Sequence, residues 1–227
     1  MKLLKSLLSA AAVACMVAAP LGAQAGPISL ILDDGTGLSG GHLAVTGNSL
    51  TDLVSFGGVF GHTGQWTINF VNGIGANANP GSPYGIDLHS FNASSSTGGT
   101  LTIKLSEDGL NYGSNGPKGV WGGIGGTNDA GSNLSYALYA DTSNGLFNTP
   151  GGGLVFSGST TAAIFSSGGS ATIGLNNPFS MTMVTTLVHT GAGSTSYDFR
   201  SVVPEPASIA LVGLALLGLG AATRRKA

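Results

Sequence analysis

The sequence predicts an all-β protein: an antiparallel β-sandwich or jelly-roll-like body, flanked by an N-terminal signal helix and a C-terminal transmembrane helix. Three observations carry that expectation. Apolar and polar residues alternate at period two through much of residues 26–203, and no stretch there keeps a 3.6-residue period over eleven positions. Turn-forming pairs punctuate the alternation: Asp34-Gly35, Asn72-Gly73, Pro80-Gly81, Asp108-Gly109, Asn115-Gly116, Asn144-Gly145 and Asn177-Pro178. The two ends are apolar runs edged by basic residues, unlike the body.

Taken in order, the alternation predicts strands at 28–32, 42–46, 53–60, 66–71, 85–91, 100–106, 134–140, 154–157, 162–165, 171–175, 180–189 and 197–202. Trp66, Ile68 and Phe70 share one face, and Leu101, Ile103 and Leu105 share another. Trp66 is therefore expected in the core. The Gly-rich stretches 113–126 and 150–153 read as long loops, and Ser106-Glu107-Asp108-Gly109 as a solvated turn. Sheets with one buried face each must pack against one another, which gives the sandwich. Thr and Ser on the outer faces keep the surface wet with little charge.

Composition bounds the function. The chain has 227 residues, 39 of them Gly, and only 8% are charged. Its net charge of −2 hides an asymmetry. Between Gly26 and Val203 there are three basic residues (Lys104, Lys118 and Arg200) against nine acidic ones, a net charge of −6. That body offers no basic stripe for nucleic acid. It holds 44 Leu, Ile, Val and Phe, enough for one folded domain with a core.

The start reads as an address. Lys2 and Lys5 precede an uncharged apolar run, and Ala23-Gln24-Ala25 follows. Small residues at −3 and −1 mark a Sec signal peptide, cut after Ala25 to leave Gly26 as the mature N-terminus. Acylation of Cys15 as a lipoprotein is the weaker alternative, because Ala12 stands where that pattern has Leu. The cut removes Cys15, the sole Cys, so the mature body has neither disulfide nor thiolate metal site. Residues 1–25 are thus a signal peptide, 26–203 the body and 204–227 a separate C-terminal segment.

That last segment opens with Pro204-Glu205-Pro206, continues through the uncharged 209–222 and closes on Arg224, Arg225 and Lys226. Counted from Ala207 to Thr223 the apolar run is 17 residues, the lower limit for a membrane span, with its basic cluster held in the cytoplasm. The arrangement resembles the PEP-CTERM sorting signal of Gram-negative envelope proteins. The resemblance implies processing near Pro204, Glu205 and Pro206 by an exosortase, a membrane-embedded protease. It also implies transient anchoring in the inner membrane and then the cell surface or an exopolysaccharide, biofilm or floc matrix.

Chemistry in the body is sparse. Asp33-Asp34-Gly35-Thr36-Gly37 reads as an Asx turn, with Ca²⁺ ligation as the alternative. His42, His62, His89 and His189 lack metal-ligand spacing, and no metal or cofactor is expected. Glu107 is the single Glu of the body, so a glycosidase pair would need Asp87 or Asp198, and no Gly-x-Ser-x-Gly elbow occurs. No catalytic residue is assigned. Trp66, Trp121, Tyr84, Tyr112, Tyr136 and Tyr139 are the aromatics able to stack on sugars, Trp121 foremost because it sits among glycines. The reading is a non-enzymatic exported envelope or matrix protein associated with exopolysaccharide; a carbohydrate-binding surface module is the alternative.

Overall fold

The computed structural model describes residues 25–48, 50–76, 85–111 and 115–203. The expected signal peptide up to Gln24, with Ala23, and the tail with Pro204, Glu205, Pro206, Arg224, Arg225 and Lys226 lie outside them, and so do the positions of both expected flanking helices. Among the described residues, no helix is long and apolar enough to cross a membrane.

Among the described residues, twelve strands form the body. They are β1 (Ser29–Asp33), β2 (His42–Thr46), β3 (Leu53–Phe60), β4 (Trp66–Ile74), β5 (Asp87–Ser95), β6 (Gly99–Leu110), β7 (Gly116–Asn128), β8 (Ser132–Asp141), β9 (Leu154–Thr160), β10 (Ile164–Leu175), β11 (Phe179–His189) and β12 (Gly193–Val202). One sheet has the order β2-β1-β6-β11-β8-β9 and the other β10-β7-β12-β5-β4-β3. Every pairing is antiparallel. The expected sandwich is what forms.

Period-two alternation becomes burial. Leu30 and Leu32, then Leu101, Ile103 and Leu105, then Leu134 and Leu138 face inward from the first sheet. Val120 and Ile124 on β7 and Tyr197 and Phe199 on β12 answer from the second. Trp66 is fully buried, as expected. Aromatic rings bridge the layers: Phe156 of β9 meets Phe199 of β12 edge-on at 5.7 Å between ring centres. The hydroxyls of Thr185 on β11 and Tyr197 on β12 hydrogen-bond across the gap, which satisfies two buried polar groups at once. Outside, Thr102 and Thr186 pair hydroxyl to hydroxyl at 3.3 Å, as the hydroxyl-rich surface implied.

Four local expectations are corrected. The stretch 113–126 is largely strand: β7 pairs with β10 over Gly116–Thr127 and with β12 over Trp121–Asn128. The expected strands at 162–165 and 171–175 are the two ends of one strand, β10, which begins at Ile164 and whose middle is Ser and Gly. Ser106-Glu107-Asp108-Gly109 runs inside β6, and Asn72-Gly73 inside β4. Glycine hid the strands in the first two cases. In β7 it serves packing, since a Cβ on Gly122 would fall 2.4 Å from the Phe156 ring and one on Gly126 would fall 2.1 Å from the Ser196 carbonyl oxygen.

The two kinds of glycine should separate on mutation. Gly126→Ala meets backbone that cannot move cheaply and should cost more than about 2 kcal/mol. Gly119→Ala enters open space on the same strand and should be neutral or stabilise by up to about 1 kcal/mol. Urea unfolding of the two variants checks this.

Candidate functional site

Alternation along β7 sends Trp121, Gly123 and Gly125 to the outer face of the second sheet. On β12, Arg200 stands opposite Gly123 and Asp198 opposite Gly125. On β10, Gly168 stands opposite Gly123 and Ser166 opposite Gly125. Small residues on the middle strand leave a trough between larger neighbours. It measures about 410 Å³ and is lined by Trp121, Gly123, Ile124, Gly125, Ser166, Ser167, Asp198 and Arg200.

The indole lies along the strand. A Cβ on Gly123 would sit 2.7 Å from the Trp121 ring, so glycine there lets the ring approach the backbone. The Arg200 guanidinium carbon lies 5.4 Å from the ring centroid, within cation–π range. Trp121 keeps 37% of its surface exposed. The ring therefore offers an apolar face beside charged and hydroxyl groups, the mix found in small-molecule sites.

A bulge sets the polar side of the trough. The register of β12 against β5 slips between Tyr197 and Phe199. Ser90 adopts a left-handed φ of 55°, and its N–H donates to Asp198. His89 Nδ1 lies 3.8 Å from the same carboxylate. Asp87 stands opposite Arg200. Burial pushes its carboxyl above the usual range, with Asp198 adding to the rise and His89 and Arg200 opposing it.

The other residues singled out in the sequence go elsewhere. Tyr136 is buried and Tyr139 half-buried on β8. Tyr84 and Tyr112 lie outside the described residues. Asp34 is turned onto its own surroundings, accepting from the N–H and hydroxyl of Thr36, the N–H of His62 and the Gln65 amide. Those hydrogen bonds outweigh burial and hold its carboxyl below the usual range. His42 pairs with Asp33 at 3.4 Å, and His62 bonds the Ser39 carbonyl. His189 is buried against Trp66 with its Nε2 on Thr195, and burial lowers its pKa. Among the described residues no three His, Cys, Asp or Glu side chains converge on a metal position. Sequence reasoning found Trp121 but not its partners Arg200, Ser166 and Ser167. The signal was present as the register of β7 on β12, which the glycines concealed.

Glu107, expected in a solvated turn, lies instead within β6. It is fully buried, its Oε2 accepts from the Ala76 N–H at 2.8 Å, and its carboxyl hydrogen-bonds the Asp52 side chain. Burial, reinforced by Asp52, pushes its pKa up to about 9. The folded protein thus holds a proton that the unfolded chain releases above the ordinary value of 4.5. Stability contributed this way is full at low pH and is lost as pH rises toward 9. Wild type should lose up to about 1.4 kcal/mol per pH unit between pH 7 and 9 from this group. Glu107→Gln keeps an acceptor for Ala76 and cannot ionise, so its urea-unfolding stability should fall less over the same window.

Comparison with known proteins adds the tail. Residues 202–226 match the family model of the PEP-CTERM protein-sorting motif. No curated protein matches the chain. Among solved structures, the chain is similar to TmCBM61 in complex with beta-1,4-galactotriose, at 10% identity and TM-score 0.35, covering 67% of this chain and 88% of that one. It is also similar to the adhesin domain of Epf from Streptococcus pyogenes, at 10% identity and TM-score 0.40, covering 78% and 59%. A third is a PA14 sugar-binding domain from an RTX adhesin, at 14% identity and TM-score 0.28, covering 47% and 48%. The sorting motif begins at the last residue of β12, and the chain carries a PEP-CTERM protein-sorting motif, which implies export.

Proposed function

We propose that this is a non-enzymatic cell-envelope or matrix protein that contacts exopolysaccharide through the Trp121 trough. On this reading the chain leaves by the Sec pathway and is held briefly in the inner membrane by residues 209–222. An exosortase processes it near Pro204-Glu205-Pro206 and it passes to the surface.

The observation that carries the sugar-binding part is the trough itself. A pyranose presents an apolar C–H face and a rim of hydroxyls. Trp121 supplies a flat surface for the first. Arg200 donates, Asp198 accepts, and Ser166 and Ser167 do both, which suits the second. The glycines of β7 keep the surface between them low enough for a ring to lie down. The trough is open and shallow, which favours holding a long chain over enclosing a reacting bond. Glu107, the single Glu of the body, lies buried on β6 in the opposite sheet with one oxygen already bonded.

Binding of the mature protein to exopolysaccharide from its own producer tests this. Wild type should be retained on the polymer. Trp121→Ala should bind at least tenfold more weakly, about 1.4 kcal/mol, with urea stability close to wild type because the ring is partly exposed. Equal retention of the two proteins would contradict the proposal. Release of new reducing ends from the polymer would contradict the non-enzymatic reading.

A further inference from the structure

At the other end of the chain, the first residues of the body run among carboxyl groups. Gly26 N–H donates to the Asp108 carbonyl at 2.9 Å. The Asp108 side chain lies directly over Gly26: a Cβ on Gly26 would fall 2.0 Å from Asp108 Oδ1. Gly109, with φ of +71°, clears the other side, where a Cβ would fall 2.9 Å from the Gly26 nitrogen. Two residues on, Ile28 N–H reaches Asp52 Oδ1 at 3.4 Å. Glu107, fully buried, adjoins Asp108 in sequence and hydrogen-bonds the Asp52 side chain. The neighbouring loop contributes Asn144, a neutral side chain that accepts from Gly109 N–H.

The Asp108 carboxyl thus lies over the chain's entry, next to a Glu107 that holds its proton, and the three Lys and Arg of the body stand elsewhere. Lys104 pairs in register with Ile31 and Val184, Lys118 with Ile173, and Arg200 with Gly123. The His42–Asp33 and His89–Asp198 ion pairs are also remote. We propose that the cation for Asp108 is the chain's own: cleavage after Ala25 turns the Gly26 amide into an α-ammonium that seats on Asp108. The proposal rests on the signal-peptide reading and is independent of the sugar-binding one.

The chemistry follows from the cut. Hydrolysis of the Ala25–Gly26 peptide bond consumes one water and leaves a carboxylate on Ala25 and an amine on Gly26. The amine takes up a proton at neutral pH. One peptide N–H is then replaced by three donors and a positive charge. The existing bond to the Asp108 carbonyl is kept, and a second donor meets the Asp108 carboxylate above it. An adjacent carboxylate favours the charged form, so the amine should titrate above the usual range of about 7.7–8.0 for an α-amino group. The body before the cut lacks this ion pair, so the precursor is the less stable form.

The test uses the full chain, exported with its own signal and purified as the mature protein. Intact mass gives the N-terminus. Acylation of the α-amine is then followed from pH 6.5 to 9.5 by mass spectrometry of the N-terminal peptide, native and in urea. The proposal expects an N-terminus at Gly26, a native labelling midpoint above that in urea, and native labelling near pH 8 about tenfold slower. Asp108→Asn should return the native midpoint to the urea value. If that variant does not fold, the native-against-urea comparison of wild type decides alone. A Gly26 terminus with an unshifted native midpoint would overturn the ion pair and leave the signal reading standing. A terminus elsewhere would overturn both.

Discussion

Gly122 and Gly126 of β7 pass so close to Phe156, Leu138 and Tyr197 that neither position has room for a methyl group. Much of the molecule's arrangement depends on that approach. It lets the inner faces of the two sheets fill with rings. Phe156 can then reach Phe199, and Tyr197 can stack on Phe91 at 4.7 Å while bonding Thr185 of the opposite sheet. A close-packed interior tolerates neither a gap nor an extra carbon, so the thin strand and the bulky partners require one another. Isolated strand glycines usually weaken a sheet. Here the burial of neighbouring aromatics offsets that cost.

The same strand shapes the outside. Gly123 and Gly125 alternate with the packing glycines, so β7 is low on both faces. Inward this admits the core; outward it leaves the trough into which Trp121 lies with Arg200 above it. Fold and candidate site therefore share one cause. The trough also lies close to the exit of the chain. Val202 stands opposite Trp121, and the sorting motif starts at that residue. The surface proposed to hold polymer and the start of the sorting motif thus meet at the end of one strand.

Much of this was legible in the sequence, and what was missed has a physical reason. Strands with branched or aromatic inward residues, such as β1, β6 and β11, announce themselves, because alternation of apolar and polar side chains is the signal. β7 and the middle of β10 carry almost no side chains to alternate. Their strand character comes from neighbours on both sides, which a single sequence does not display. Glu107 misled for the opposite reason. Ser-Glu-Asp-Gly has the composition of an exposed turn, but the strand continues through it and buries the carboxyl beside Asp52. Trp121 was visible as an unusual residue among glycines. Arg200, Asp198 and Ser166 became its neighbours only through strand order.

The central claim is that the outer face of β7, β10 and β12 is where this protein meets sugar. Amide and indole NMR spectra of the mature protein, titrated with oligosaccharides cut from the producer's exopolysaccharide, test it most directly. The account predicts shifts at the Trp121 indole N–H and at the amides of Gly123, Gly125, Ser166 and Arg200. The buried Trp66 indole and the residues around Glu107 should stay still. Shifts confined to another face, or an unmoved Trp121 at saturating oligosaccharide, would contradict it.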